Sequence, residues 1–250
     1  MRIQSYYVQL RREATFMLNT RDLIAWLGFF VVLGLFVSPF KDVWGRDGIY
    51  AKRSASGIAT GLPYIATMFN NMLWLMYCAA RPLDFVPSLL LNFLGLCLSV
   101  SYTVCYMRFT TTSDVKLCYV YLGGGACVAC AAVGWYMLRG MADGQSGVGS
   151  IAALCNVLMF YAPLAALGEV MRTQSVAKMP FLPIVWSFFA GSVWFTFGVY
   201  TTDAPIMVPN GIGILFSVAQ LALYATYYSS ATSSSSITAT YEAGVKEESP

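Results

Sequence analysis

Two asparagines occupy equivalent places in two long apolar segments. Asn92 lies in "LLLNFLGLCLSVSYTVCY" and Asn210 in "MVPNGIGILFSVAQLALY". Each is followed by glycine three residues on, by Ser-Val seven residues on and by tyrosine fourteen residues on. An amide in a membrane is costly unless its groups are paired, and a lone one is explained by a hydrogen bond between helices. Two at repeated positions favour a shared site for a neutral polyhydroxylated ligand, because an amide both donates and accepts.

Two tryptophans follow the same repeat. Trp74 precedes the first asparagine by eighteen residues, and Trp194 precedes the second by sixteen. Tryptophans often mark the lipid–water interface, but these two lie well inside apolar runs. Packing within a bundle is one interpretation. The other is a pair of flat walls for the C–H face of a sugar ring, which the nearby asparagines favour.

Four prolines recur as two in each half, close to the ends of apolar runs: Pro39, Pro63, Pro163 and Pro180. A proline removes a helix hydrogen bond and permits bending. Pro63 and Pro180 suit the starts of helices. Pro39 and Pro163 lie near the ends of their runs and predict a kink that opens one side of a pore.

The sequence lacks the residues that several kinds of chemistry need. No carboxylate or lysine lies deep in an apolar run, so the sequence predicts neither a proton relay nor a sodium site. There is no histidine and no GxSxG, and the single "CVAC" lacks a second pair of metal ligands. The basic residues are scattered, which argues against a nucleic-acid partner. The sequence predicts no catalytic residue, metal or cofactor, and indicates downhill, uncoupled transport.

The elements that must position these residues are membrane helices. Hydrophobic residues make up 58% of the 250 residues and charged residues 11%, whereas a soluble domain carries about twice that charge. A helix needs about 20 mostly apolar residues to span a bilayer. Seven uncharged runs qualify: 23–40, 54–80, 85–107, 117–138, 144–168, 179–202 and 204–241.

The repeated residues group these runs as 3+1+3. We expect an all-α integral membrane protein of seven transmembrane helices, with two parallel three-helix repeats joined by an inversion linker helix. Parallel repeats are an architecture of transporters that hold substrate near the midplane. The predicted parts are an N-terminal extramembrane segment (1–22), the first repeat (23–110), the linker helix (114–138), the second repeat (147–228) and a disordered cytoplasmic tail (229–250). Basic residues in the loops favour an outside N-terminus and a cytoplasmic C-terminus.

The second half resembles the second repeat of the SWEET sugar transporters. The motifs APL, RTxSVxxMPF and PNGIG fall in family order within "YAPLAALGEVMRTQSVAKMPF" and "APIMVPNGIGILF". The first half ("LFVSPFKDVW", "TGLPY", "LWLMY", "LLLNFLG") resembles the first repeat more loosely. The resemblance implies a facilitative, bidirectional uniporter of a mono- or disaccharide, working by alternating access in the plasma membrane or an internal membrane. It is also compatible with a homo-oligomer.

The resemblance also implies roles for individual residues. The sugar would be hydrogen-bonded and sandwiched by Asn92, Asn210, Trp74 and Trp194. Substrate size would be tuned by the lining residues Leu35, Asn70, Met159 and Ala190. The hinges and intracellular gate would be Pro39, Pro63, Pro163 and Pro180, and the extracellular gate Tyr77 and Asp203. The lining residues favour a monosaccharide such as glucose over sucrose.

Three other functions compete with sugar transport. A PQ-loop-type exporter of amino acids or of another small polar solute lacks its Pro-Gln dipeptide at all four proline sites here. A seven-helix receptor would not be expected to contain a three-helix duplication. A membrane scaffold leaves the paired asparagines and tryptophans without a reason. The loop from Pro39 to Pro63 is also about seven residues longer than its counterpart in the second half.

Overall fold

The computed structural model describes residues 2–247 apart from 59, 177–178 and 180, and it describes the side chains of 20–228 apart from those positions, 161–163 and 166. Ten helices form this part of the chain: α1 (Arg2–Val37), α2 (Phe40–Trp44), α3 (Ile49–Lys52), α4 (Leu62–Ala79), α5 (Val86–Phe109), α6 (Thr112–Arg139), α7 (Met141–Met159), α8 (Tyr161–Thr173), α9 (Phe181–Thr201) and α10 (Ala204–Glu247). A 3₁₀ turn, Pro82–Asp84, joins α4 to α5.

Seven long helices correspond to the seven predicted runs. Among the described residues, five segments are long and apolar enough to cross a membrane: one runs from α1 to the end of α3 (Thr20–Lys52), and the others lie in α5, α6, α9 and α10. The other two long helices, α4 and α7, carry more polar residues: α4 contains Asn70 and Asn71, and α7 contains Gln145 and Asn156. These polar residues lower the hydropathy of α4 and α7, and both helices pack in the interior of the bundle against a helix of the other repeat.

The helices pack as two copies of one unit. In the first repeat α1 and α4 both contact α5, and in the second α7 and α9 both contact α10. Between the repeats, α1 contacts α9 and α4 contacts α7. When α1, α4 and α5 are exchanged with α7, α9 and α10, the contact between α1 and α9 becomes the contact between α7 and α4. This equivalence indicates a pseudo-two-fold axis. The linker helix α6 packs against α4 and α7.

Helix ends follow local chemistry and correct one prediction. The Thr111 hydroxyl caps α6 by accepting from the Asp114 N–H at 3.2 Å, and Gly140 ends it with a φ of 75° that favours glycine. The single predicted run 144–168 is wrong as one helix, since it breaks at Phe160 between α7 and α8. The first repeat breaks in the matching place, between Val37 and Phe40.

No break in the helix separates either predicted terminal segment from the adjoining repeat. Helix α1 continues from residue 2 through the predicted boundary at 22, and α10 continues beyond residue 228 to Glu247. The side chains of 229–250 and of 1–19 lie outside the described residues. The extramembrane N-terminal segment and the disordered tail therefore stay predictions.

Buried side chains form three clusters. The joint cluster takes residues from both repeats and the linker: Ala25, Leu73, Trp74, Tyr77, Cys78, Phe85, Ala132, Val148, Ala152, Phe197 and Ile206. The first-repeat cluster comprises Val43, Ile49, Ala55, Ile65, Tyr102, Cys105, Tyr106 and Cys118. The second-repeat cluster comprises Val170, Val176, Met179 and Ile184. The two repeats therefore share a core at one end of the bundle and keep separate cores at the other.

Candidate functional site

A cavity of about 290 Å³ lies between the two repeats, bordered by α1, α4, α5, α7, α9 and α10. All eight residues that the sequence assigned to binding and lining border it: Leu35, Asn70, Trp74, Asn92, Met159, Ala190, Trp194 and Asn210. Ser217 of the repeated Ser-Val pair also borders it, as do five polar residues that the sequence analysis did not single out: Thr67, Asn71, Ser88, Asn156 and Ser187. Residues more than 150 positions apart in the chain thus face one space.

The two asparagines make equivalent hydrogen bonds. The Nδ2 of Asn92 donates to the Ser88 carbonyl oxygen at 2.8 Å, and the Nδ2 of Asn210 donates to the Ile206 carbonyl oxygen at 2.7 Å. Each bond runs to the carbonyl four residues earlier on the same helix, so it fixes the amide against its own backbone. Within the described residues neither amide makes a further bond, which leaves each Oδ1 and one N–H for a ligand.

The two tryptophans are also held in equivalent ways. Trp74 packs edge-to-face on Tyr77 with ring centroids 5.4 Å apart, and Trp194 packs edge-to-face on Phe197 at 5.5 Å. Such aromatic pairs are favourable beyond the area they bury. A Cβ added to Gly28 of α1 would lie 2.9 Å from the Trp194 ring, so that glycine makes room for the indole. The indoles are therefore fixed walls of the cavity.

One end of the cavity is sealed by a polar network. The Tyr77 hydroxyl donates to Oδ2 of Asp203, and Oδ1 of the same carboxylate caps α10 by accepting from the Ile206 N–H. The Nε2 of Gln145 donates to the Tyr77 carbonyl oxygen at 3.1 Å, and Nε of Arg81 donates to Oε1 of Gln145 at 2.8 Å. Asp203 is only 8% exposed. The network ties α4 to α7 and to the start of α10, and thus one repeat to the other.

The opposite end of the cavity is built differently. The joint cluster lies at the sealed Tyr77 end, whereas the first-repeat and second-repeat clusters lie apart at the other end, which we call the Pro39 end. Pro39 lies between α1 and α2, and Pro63 lies in the first turn of α4. Pro180 and the side chain of Pro163 lie outside the described residues. One cross-repeat bond stands nearer this end, from Nε1 of Trp186 to the Val31 carbonyl oxygen at 2.7 Å.

The cavity wall is polar but uncharged. Among the described residues that border it, none is Asp, Glu, Lys or Arg. An ionised ligand group would therefore enter without a partner of opposite charge, which is costly in a dry site. The wall suits a neutral ligand with several hydrogen-bonding groups and one apolar face.

The chain is similar to known sugar transporters over most of its length. The sequence model of the family described as "Sugar efflux transporter for intercellular exchange" matches residues 22–114 and 146–232. The bidirectional sugar transporter SWEET7b of Oryza sativa subsp. indica is 30% identical over 213 residues, covering 83% of this chain and 78% of the relative. SWEET8 of Arabidopsis thaliana is 30% identical over 220 residues, covering 85% and 90%.

A solved structure of a eukaryotic SWEET transporter matches the whole architecture. It aligns with a TM-score of 0.72 and 26% identity, covering 86% of this chain and 99% of that one. The two matched segments of the family model flank α6, as two repeats and a linker require. These findings confirm an all-α integral membrane protein with the 3+1+3 plan, of a transporter family and not an enzyme family. The chain belongs to the SWEET family of sugar efflux transporters for intercellular exchange.

Proposed function

We propose that this protein is a facilitative, bidirectional uniporter of a monosaccharide such as glucose, which binds in the cavity between the repeats. The observation that carries the proposal is one uncharged cavity bordered by both members of the asparagine pair and both members of the tryptophan pair. The names of the relatives from Oryza sativa and Arabidopsis thaliana support it, because both are called bidirectional sugar transporters.

The binding chemistry follows from the free groups of the wall. Asn92 and Asn210 each offer an acceptor and a donor, which match the hydroxyls of a sugar. Trp74 and Trp194 offer flat apolar faces for the C–H surface of the ring. An amino acid would bring an ammonium and a carboxylate, and the described residues of the wall offer no charge to either. The uncharged wall therefore favours a sugar over the substrates of an amino-acid exporter.

The size of the cavity favours one sugar ring. Its volume of about 290 Å³ lies at the lower end of the range for small-molecule sites, about 300–1,000 Å³. Leu35 and Met159 occupy equivalent positions near the Pro39 end and narrow the space with apolar side chains. A disaccharide would need the walls to move apart. We therefore propose a monosaccharide as the preferred substrate.

The two ends of the bundle support alternating access. In this conformation the Tyr77 end is held shut by the polar network and the joint cluster. The separate clusters at the Pro39 end allow each repeat to move as a unit, with Pro39 and Pro63 at the helix ends that must flex. Opening the Tyr77 end while closing the Pro39 end would carry the sugar across. Since none of the described residues of the wall is Asp, Glu, Lys or Arg, we propose that the step is not coupled to an ion.

We also propose a setting for the transporter. The basic residues of the loops support an outside N-terminus and a cytoplasmic C-terminus, which would place Tyr77 and Asp203 at the extracellular gate and the prolines at the intracellular one. We propose the plasma membrane as the location and a homo-oligomer as the assembly, both from family resemblance. Epitope tags at the two termini, stained before and after permeabilising cells, test the orientation and the location, and cross-linking in native membranes tests the assembly.

The test of function is uptake of radiolabelled glucose in cells that lack their own hexose carriers. Asn92→Ala and Asn210→Ala should each lower apparent affinity roughly fivefold, since each removes a hydrogen bond of about 1 kcal/mol. Ser101→Ala is the matched control, because Ser101 on α5 bonds the Leu98 carbonyl at 2.7 Å and does not border the cavity. Uptake should be saturable, reversible and unchanged by a protonophore. An apparent affinity for glucose that stays at the wild-type value in both asparagine variants would move the site elsewhere.

A further inference from the structure

Three residues in the described part of the chain have buried polar side-chain atoms without a hydrogen-bond partner. They are Oδ1 of Asn70, both amide atoms of Asn71 and Oγ of Ser88. All three residues border the cavity. Buried polar atoms in proteins are nearly always paired, with water or a ligand if not with protein. Their coincidence with the cavity indicates where a ligand supplies the missing partners.

All three residues lie in the first repeat, and their counterparts in the second are apolar. Aligning Trp74 with Trp194 sets Asn70 and Asn71 against Ala190 and Gly191. Aligning Asn92 with Asn210 sets Ser88 against Ile206. Thr67, in contrast, is matched by Ser187, and the second repeat has one unmatched amide of its own, Asn156, which stands against Val32. The paired residues make the cavity symmetric in shape, and these three make it asymmetric in chemistry.

Asn71 is the most buried of the three, with 0% of its side chain exposed. Its amide lies against Gly95 of α5, where an added Cβ would be 2.7 Å from Nδ2, so a larger residue there would collide with it. The χ2 torsion of asparagine is broad, which lets the amide turn towards the cavity it borders. Ser88, 4% exposed, stands on the same wall near the Tyr77 end.

We propose that Asn71 and Ser88 form a second hydroxyl-binding subsite on the wall made by α4 and α5, and that Asn71 determines which sugar hydroxyl is required. This inference rests on the proposed sugar transport. Because one amide donates and accepts, Asn71 binds a hydroxyl, or two neighbouring hydroxyls, that Asn92 and Asn210 do not serve. The sugar then binds in one orientation, with its hydroxyl-rich edge on the first repeat and its less polar edge towards Ala190 and Gly191.

The test is competition with single-deoxy sugars. Uptake of radiolabelled glucose is inhibited with unlabelled glucose or with its 2-, 3-, 4- or 6-deoxy form, in wild type and in Asn71→Leu. In wild type one analogue should inhibit roughly tenfold less well than glucose, because it leaves the Asn71 amide unpaired. In Asn71→Leu that analogue and glucose should inhibit equally, with the ranking of the other analogues unchanged.

A second substitution and a control sharpen the result. Ser88→Ala is a milder change, and in this variant the analogue that lacks a different hydroxyl should inhibit as well as glucose does. It also tests the subsite if Asn71→Leu fails to reach the membrane. Gln220→Met is the control, because it removes another buried amide, on α10 and away from the cavity wall, and should keep the wild-type ranking.

Other outcomes would overturn the subsite. Equal inhibition of the wild type by every deoxy sugar would show that Asn71 and Ser88 do not recognise a particular hydroxyl. The same conclusion would follow from a variant that keeps the wild-type ranking, or from one in which the binding of all sugars is weakened equally. In those cases glucose uptake by the wild type would leave the proposed function standing. A wild type that reaches the surface and carries no hexose would instead overturn the function, and the subsite with it.

Discussion

The hydrogen bond from Tyr77 to Asp203 should control how often the sealed end of the cavity opens. Tyr77→Phe removes only the hydroxyl that bridges the two repeats and leaves the ring packed on Trp74. A hydrogen bond to a charged group is worth about 1.5–3 kcal/mol. Since it exists only when this end is closed, its loss should raise the open fraction by roughly 10- to 150-fold.

A native cysteine reports on this opening. Cys78 follows Tyr77 in α4, borders the cavity and is 1% exposed. Cys78 is labelled with a membrane-impermeant maleimide added on the Tyr77 side. The background is a variant that still transports and in which the other cysteines are replaced: Cys97, Cys105, Cys118, Cys127, Cys130 and Cys155. When opening is faster than labelling, the labelling rate follows the open fraction. Tyr77→Phe should therefore raise the rate by the same 10- to 150-fold factor, about 1.5–3 kcal/mol in free energy.

The matched control is Tyr102→Phe. The Tyr102 hydroxyl donates to the Phe36 carbonyl oxygen at 3.0 Å, within the first repeat and near the Pro39 end. Its loss should leave the labelling rate of Cys78 unchanged. Equal rates in Tyr77→Phe and wild type, or an equal rise in the control, would refute the idea that the Tyr77 bond holds this end closed.

Two glycine contacts give further tests. A Cβ on Gly149 would lie 2.6 Å from the Tyr77 ring, so Gly149→Val should hold the Tyr77 end open and reduce glucose uptake at least tenfold at equal surface expression. Gly28→Val should push the Trp194 ring away and raise the apparent KM for glucose more than it lowers the maximal rate. Gly124→Val is the control for both, because nothing lies within 4 Å of an added Cβ there, and unchanged transport in the first two variants would contradict the packing argument.

The fold could be predicted because charge and duplication are both visible in the sequence. Charged residues delimit the long helices of the bundle, and the repeated Asn and Trp positions group them as 3+1+3. Charge alone does not reveal the break at Phe160, because no charge interrupts the run 144–168; its signal in the sequence is Pro163, three residues later, where a kink is predicted. The short helices α2 and α3 were missed for the opposite reason: they lie in a charged loop, and their formation depends on packing Val43 and Ile49 into the first-repeat cluster.

The binding residues of the predicted site came from their repetition and the lining residues from the family resemblance, whereas other polar residues around the cavity were missed. Asn92 and Trp74 each have an identical partner in the other half, so a search for self-similarity detects them. Asn71, Asn156 and Gln145 have no such partner. A signal was present in the sequence, since each is an amide inside an apolar run, and an amide in a membrane is costly unless it is used.

Repeated and unrepeated residues divide the work of transport between them. A pseudo-two-fold axis makes the two ends of the path equivalent in architecture, so the same hinge can open either end. A perfectly symmetric cavity, however, would bind an asymmetric sugar equally in two orientations and would offer each hydroxyl the same choice of partners. Asn71 and Ser88 break that equivalence where Gly191 and Ile206 stand in the other repeat. We therefore propose that the repeated asparagines and tryptophans hold the sugar ring, and that the unrepeated Asn71 and Ser88 govern which sugar is carried.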